Sequence, residues 1–155
     1  MDKSASQTQK EERISVIELN EMLFGIGILK AREVVPLPVI TPVPNTQDFV
    51  VGVFNLRGDI YTIVDLGILL GMKPKQIRES DMVMILDNGD VVVGVLVDRI
   101  HGVRSLDGVK VESAKGLVAK SMQPYILGVI SDKTSQIFLL DIDRLFESSA
   151  FRMYS

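Results

Sequence analysis

His101 is the only histidine in the 155-residue chain, and the sequence contains no cysteine. Nucleophilic catalysis needs a serine, cysteine or threonine beside a base, and a protein zinc site needs several His, Cys or carboxylate ligands together. One histidine supplies neither arrangement, so His101 is interpreted as a partly exposed residue near the end of a strand. The sequence therefore predicts no metal site and no disulfide.

Paired carboxylates are the other residues that could work as acid and base. Asp87 and Asp90 lie in a predicted hairpin turn, and Asp141 and Asp143 lie at a predicted helix start, where aspartate is favoured by turn and cap geometry. The segment from 25 to 30 lacks the third glycine of a dinucleotide fingerprint, and no phosphate loop is present. We therefore expect a protein that is not an enzyme and holds no cofactor.

Arg57 is the charged residue with the most specific surroundings. It lies in residues 49–70, whose pattern predicts a strand, a tight turn, a second strand and a short helix. With Gly58-Asp59 as a two-residue turn, Leu56 pairs with Tyr61 on an apolar face, and Arg57 lies at the hairpin tip on the opposite face. An outward arginine there is either a binding residue or a solvated charge, and the local pattern leaves both open.

Strand patterns recur along the chain and are separated by polar turns. Further strands are predicted over residues 14–19, 23–29, 82–86, 91–97 with a continuation to 103, 125–130 and 137–140. Residues 30–35 are predicted as a helical turn, and four prolines between positions 36 and 44 then impose an extended connection. Residues 1–12 are predicted to be a disordered segment, residues 13–148 the folded domain and residues 149–155 a C-terminal tail.

The composition is that of a mainly β globular chain. Val, Ile and Leu carry much of a 46% hydrophobic fraction, with 6% aromatic residues and no tryptophan, which favours many short strands. The net charge is −3, from 17 Lys and Arg against 20 Asp and Glu, and no basic run offers the footprint of a nucleic-acid binder. No stretch approaches the ~20 apolar residues of a membrane helix, so we expect a soluble cytoplasmic protein.

An internal repeat relates the two halves of the chain. The motif Phe49-x-x-Gly52-Val53 recurs as Tyr125-x-x-Gly128-Val129, 76 positions later. A weaker echo relates Phe24-Gly25-Ile26 to Val93-Gly94-Val95, 69 positions later. Each half then contributes short strands and one helix, which indicates two similar small barrels rather than a single sheet.

Two aspartates follow the repeat, and one arginine does not. Asp65 and Asp141 each come directly after the last predicted strand of their copy, so both are interpreted as helix N-caps rather than catalytic residues. In place of Arg57-Gly58 the second copy has Lys133-Thr134. The barrel architecture therefore does not require Arg57, which favours a functional role for it.

Over about residues 14–146 the chain resembles the CheW family of chemotaxis coupling proteins. The resemblance rests on Asn55-Leu56-Arg57-Gly58 with Ile63-Val64-Asp65-Leu66, on Val93-Gly94 with Val97-Asp98, and on Leu139-Leu140-Asp141-Ile142. It implies a mainly β fold of two intertwined five-stranded SH3-like barrels with short helices and a groove between them. One departure is Thr62, where family members usually carry proline; threonine restores a backbone donor to the strand and is expected to be tolerated.

The resemblance also implies a non-catalytic adaptor that joins the cytoplasmic tip of a chemoreceptor to the regulatory domain of the CheA histidine kinase, in receptor arrays at the membrane. Kinase contact in the family uses barrel ends near the motif glycine, which corresponds here to Gly52. The alternative is a stand-alone small-ligand-binding β module, with the groove as its pocket. Receptor contact uses apolar groove residues and the motif arginine, which correspond to Ala31, Glu33, Arg57, Ile100 and Val103.

Overall fold

The computed structural model describes residues 13–148. The segment predicted to be disordered (1–12) and the predicted tail (149–155) lie outside the described residues. Ten strands, two short α-helices and one 3-10 helix follow one another in the described part of the chain. They are β1 (Arg13–Leu19), β2 (Met22–Gly27), β3 (Ala31–Pro36), β4 (Val50–Leu56), β5 (Asp59–Val64), α1 (Leu66–Leu69), β6 (Met82–Asp87), β7 (Val92–Val97), β8 (Arg99–Ser105), the 3-10 helix (Gln123–Tyr125), β9 (Ile126–Ser131), β10 (Gln136–Leu140) and α2 (Ile142–Phe146).

The strands form two five-stranded sheets, each a small barrel. The first barrel has the strand order β8-β1-β2-β10-β9, and the second barrel has the order β3-β6-β7-β5-β4. Each barrel takes strands from both halves of the chain, because β1 and β2 join the last three strands while β6 and β7 join β3, β4 and β5. The predicted mainly β fold of two intertwined five-stranded barrels is confirmed.

The two barrels share one pairing pattern. In the order given, neighbouring strands of each barrel are antiparallel, antiparallel, parallel and antiparallel. The parallel pair of Leu139 and Gly25 in the first barrel corresponds to the pair of Ile63 and Gly94 in the second. Residues of β1 to β3 therefore lie 69 positions before their counterparts, and residues of β4 to α1 lie 76 positions before theirs. The sequence repeat therefore reflects a repeat of structure, and the weaker match of Phe24-Gly25-Ile26 with Val93-Gly94-Val95 is part of it.

The motif glycines lie where another part of the chain crosses a strand. A bridge joins the segment at Thr41 to β4 beside Gly52, and another joins the segment at Glu112 to β9 beside Gly128. A Cβ built on Gly52 would lie 2.5 Å from the carbonyl oxygen of Thr41, and one on Gly128 would lie 2.8 Å from that of Glu112. Closing each barrel in this way leaves no room for a side chain, which explains why glycine recurs in both copies.

Buried side chains form one central cluster and a smaller cluster within each barrel. The central cluster takes Ile17 and Phe24 from the first barrel and Val95 and Val97 from the second. Because apolar burial contributes roughly 25 cal/mol per Å2, this shared cluster stabilises the contact between the barrels.

The predicted helix caps are confirmed, and the predicted helical turn is wrong. The Asp65 carboxylate accepts a hydrogen bond from the Ile68 amide at 3.3 Å, and the Asp141 carboxylate accepts one from the Arg144 amide at 3.0 Å. Residues 30–35 instead enter β3, which pairs with β6. A strand depends on a partner elsewhere in the chain, and this pairing overrides the local preference of residues 30–35.

Candidate functional site

The hairpin between β4 and β5 turns at Arg57 and Gly58. Their φ values are +53° and +92°, the pattern of a type I′ turn, and Leu56 pairs with Asp59 across it. The predicted turn at Gly58-Asp59 is therefore wrong by one residue. The side chain of Asn55 supports the observed turn, because its carbonyl oxygen accepts a hydrogen bond from the Gly58 amide at 3.1 Å.

The observed register keeps the predicted faces of the hairpin. The sequence predicts Leu56 opposite Tyr61, whereas Phe54 lies there in the structure. The difference is two residues along one strand, and side chains alternate between faces with a period of two. Leu56, Phe54 and Tyr61 therefore still pack together with Ile63 in the cluster of the second barrel.

An ion pair links the tip of this hairpin to β3. Nη2 of Arg57 donates to both carboxylate oxygens of Glu33, and the distance to Oε2 is 2.7 Å. This hydrogen bond lowers the pKa of Glu33 and raises the pKa of Arg57. The Arg57 side chain remains 68% exposed and that of Glu33 28% exposed, so the pair holds the arginine in place without covering it.

Ala31 and Ile100 occupy corresponding positions in the two barrels. Ala31 on β3 pairs with Leu86, and Ile100 on β8 pairs with Ile17. Both are half-buried against the central cluster. The strands β3 and β8 each have one strand neighbour, so both are sheet edges. Two of the apolar residues expected at the receptor site are therefore equivalent by the repeat.

A bulge follows each of these two residues, and a side-chain contact with a carboxylate accompanies each bulge. Arg32 in β3 pairs with Asp87 at 3.4 Å, and His101 in β8 pairs with Glu18 at 2.8 Å. The bulges lie at corresponding points of the two strand pairs. His101 is thus an exposed strand residue in a repeated surface pair, in agreement with its interpretation from the sequence.

The predicted receptor-binding residues divide into two groups. Glu33 and Arg57 are joined directly on the second barrel, while Ile100 and Val103 lie on β8 of the first barrel. Val103 is 58% exposed, and among residues 13–148 no hydrogen bond or ion pair joins the β8 residues to the charged pair. Gly52, expected at the kinase contact, is buried, so that contact would be made by its neighbours rather than by the glycine itself.

A buried charged cluster was not foreseen from the sequence. Nζ of Lys75 lies 2.9 Å from Asp81 Oδ1 and 2.5 Å from Asp98 Oδ1, and the Lys75 side chain is 2% exposed. Oδ2 of Asp98 accepts a hydrogen bond from the Asn20 amide. Burial raises the pKa of Asp98, but the hydrogen bonds from Lys75 and Asn20 outweigh this effect and lower it. The cluster ties the predicted linker to both barrels, and its members lie far apart in sequence.

Residues 13–148 contain no group of three or more His, Asp or Glu side chains arranged to hold a metal ion. No helix in this part of the chain is long and apolar enough to cross a membrane. The features that the structure does bring to the surface are an arginine held by a carboxylate, two open sheet edges and exposed apolar side chains. This combination suits contact with other proteins.

Known proteins place the chain in a family. The family model described as a CheW-like domain matches residues 13–150. The chain is 31% identical over 148 residues to the chemotaxis protein CheW of Klebsiella aerogenes, covering 96% of this chain and 89% of the relative. It is 31% identical to that of Thermotoga maritima, covering 94% of each. The crystal structure of the scaffolding protein TtCheW from Thermoanaerobacter tengcongensis matches with a TM-score of 0.76 at 27% identity, over 90% of this chain and 95% of that one. The chain therefore belongs to the CheW-like family, as its motifs predict.

Proposed function

We propose that this protein is a non-catalytic chemotaxis adaptor that joins the cytoplasmic tip of a chemoreceptor to the regulatory domain of the CheA histidine kinase. Family membership supports the adaptor role, since the matched relatives are chemotaxis proteins and the matched structure is a scaffolding protein. The observation that carries the proposal is the exposed arginine Arg57, held by Glu33 at a hairpin tip.

The conformation of Arg57 favours a binding role over that of a solvated charge. A positive φ of +53° is unfavourable for a residue with a side chain, by about 1 kcal/mol. Glycine or asparagine would meet the turn's needs better. Among the guanidinium nitrogens of Arg57, only Nη2 makes a hydrogen bond to another of the described residues. The remaining N–H groups of the guanidinium are therefore available to carbonyl or carboxylate oxygens of a partner.

The apolar part of the receptor site fits a helical partner. Val103 is 58% exposed on the edge strand β8, and Ala31 and Ile100 present half-buried apolar surface on β3 and β8. An amphipathic helix binds by placing its apolar face against such a surface. The receptor tip would then contact the apolar residues, while Arg57 and Glu33 would bind its polar groups.

The proposed kinase contact lies on the outer side of β4 and β5, near Gly52. Thr41, whose carbonyl oxygen closes over Gly52, lines a surface depression of about 410 Å3 together with Val39 and Ile60. Val39 is 89% exposed and Ile60 is 64% exposed. Exposed apolar side chains of this size gathered around a depression are typical of a protein interface.

Recovery of native partners tests the adaptor function. Tagged full-length protein, purified from cells that carry its partners, should retain both a chemoreceptor and a CheA-type kinase, and in this way should reach receptor arrays at the membrane. Specific retention of a metabolite with neither protein would contradict the proposal and favour a stand-alone ligand-binding module.

A further inference from the structure

A cavity opens at one end of the first barrel. Its volume is about 340 Å3, and Ile14, Gly25, Gly27 and Leu139 contribute to its lining. A Cβ built on Gly27 would meet no heavy atom of the described residues within 4 Å. Open space therefore lies directly above the backbone of β2 at this residue. A volume near 300 Å3 is at the lower end of the range for small-molecule sites.

The second barrel fills the corresponding space with its own side chain. Gly27 pairs with Ile14, and at the corresponding point Leu96 pairs with Val83. Leu96 is 1% exposed and belongs to the cluster inside the second barrel. Where the second barrel has a buried leucine, the first barrel has a glycine and a cavity.

The second barrel also has aromatic side chains at two positions where the first barrel has smaller aliphatic ones. Phe54 and Tyr61 pack in the second barrel with ring centroids 5.8 Å apart. Their counterparts in the first barrel are the smaller Ile130 and Ile137. Ile130 and Ile137 lie outside the lining of the cavity, so this difference shows only that the first barrel has the smaller core side chains. The difference at the cavity itself is Gly27, where the other barrel has the aliphatic side chain of Leu96.

The rim of the cavity carries more negative than positive charge. Lys30, Asp107 and Asp141 contribute to the lining. Nζ of Lys30 lies 3.1 Å from a carboxylate oxygen of Asp143, which is outside the lining. The lysine charge is therefore offset by a neighbour. The Asp141 carboxylate already caps α2, so the exposed Asp107 supplies the remaining carboxylate that favours a cationic group.

We propose that this cavity binds a small molecule that carries an aliphatic group and an amine. The aliphatic group occupies the space beside Gly27 that Leu96 fills in the other barrel, and the ammonium lies near the exposed Asp107. The lining shares no residue with the surfaces assigned to the receptor and the kinase, and the proposal does not depend on the proposed adaptor function.

Titration with hexylamine, followed by NMR of the amide groups, tests the site against an internal control. The amides of Gly25, Gly27 and Leu139 should shift, while those of Gly94 and Leu96 in the second barrel should not. Hexanol should bind about tenfold more weakly, and hexanoate more weakly still. No shift in the first barrel, equal shifts in both barrels, or hexanoate binding as tightly as hexylamine would overturn the proposal.

Filling the cavity gives the matching variant. Gly27→Leu reproduces the leucine of the second barrel and should weaken hexylamine binding at least about tenfold. Ile77→Phe enlarges an exposed side chain outside the cavity and should leave binding unchanged. Should Gly27→Leu fail to fold, Asp107→Asn at the exposed rim provides the test, because it should remove the preference for hexylamine over hexanol. Full hexylamine binding by folded Gly27→Leu, or an unchanged preference in Asp107→Asn, would overturn the proposal.

Discussion

Arg57 and Glu33 form an ion pair that has no counterpart in the other barrel. The corresponding positions hold Lys133 and Gly102, and a glycine offers no carboxylate to a lysine. The first barrel fixes its hairpin differently, through a contact of 3.2 Å between Arg104 and Asp132. The repeat thus supplies two similar hairpins, and only one of them presents an arginine positioned by a neighbouring strand.

Arg57→Ala should weaken receptor binding by about 1–2 kcal/mol, the cost of truncating one of the minority of interface residues that contribute measurably to affinity. The fold should remain intact, because the side chain is 68% exposed. Calorimetric titration with a receptor tip fragment measures the effect. Lys133→Ala, at the corresponding position of the other hairpin, is the matched control and should bind normally. An Arg57→Ala protein with wild-type affinity would remove the arginine from the site.

Val103→Asp should reduce receptor affinity by about 2 kcal/mol or more, since it places a charge in an apolar contact. Leu117→Asp changes another exposed apolar residue, 51% accessible against 58% for Val103, and should leave affinity unchanged. Circular dichroism should show both variants folded. Global unfolding of Val103→Asp would mean that the valine serves the core rather than a partner.

Gly52→Ala should destabilise the fold by about 2 kcal/mol, because the new Cβ would lie 2.5 Å from the Thr41 carbonyl oxygen. Kinase affinity should fall with it, as the covering segment shifts. Gly128→Ala meets a similar carbonyl contact at 2.8 Å and should be destabilised without losing kinase binding. Urea denaturation and titration with the kinase regulatory domain separate these effects. Unchanged stability in Gly52→Ala would show that the backbone there is not constrained.

Lys75→Met should destabilise the protein by about 3 kcal/mol, because it leaves carboxylates in the buried cluster without their cation. Asp81 is 1% exposed and cannot recover solvation. Lys73→Met, which removes an exposed lysine of the same segment, should change stability little. Equal urea midpoints for the two variants would contradict a role of the cluster in joining the barrels.

The stability effect of Asp132→Asn should depend on pH. Hydrogen bonds from the Thr134 and Ser135 amides lower the pKa of Asp132 from an ordinary 3.8 to about 2. A carboxyl with a lowered folded-state pKa adds stability above its unfolded pKa, and this contribution is lost as pH falls through the folded value. Wild type should therefore exceed the variant in free energy of unfolding at pH 6, and the difference should shrink toward pH 2. A difference that stays constant with pH would contradict this.

Several features of the fold were predictable because local sequence patterns indicate them. Asp65 and Asp141 precede helices and cap them through their own side chains, so the local sequence contains the whole interaction. Gly52 and Gly128 mark the repeat by their spacing alone, although the carbonyl oxygens that exclude a side chain there belong to other segments. The inward face of the β4–β5 hairpin was also predictable. Side chains alternate between the two faces of a strand, so a two-residue change in register leaves the same side chains on the inward face.

Interactions between distant parts of the chain were not predictable. The strand β3 exists because β6 lies beside it, and the local sequence of residues 30–35 contains no sign of that partner. The cluster of Lys75, Asp81 and Asp98 joins three separate segments, and each residue alone looks like a surface charge. The ion pair of Arg57 with Glu33 is of the same kind, since the resemblance names both residues for the receptor site but not the contact between them.

The exchange of strands between the two halves also sets the order in which the protein can be completed during synthesis. The second barrel uses β3 to β7 and can close once Val97 has left the ribosome, whereas β1 and β2, made first, must wait for β8, β9 and β10. Until then the early hairpin keeps open edges that are prone to wrong pairing. A gene divided between its two repeats would consequently encode no half that folds alone.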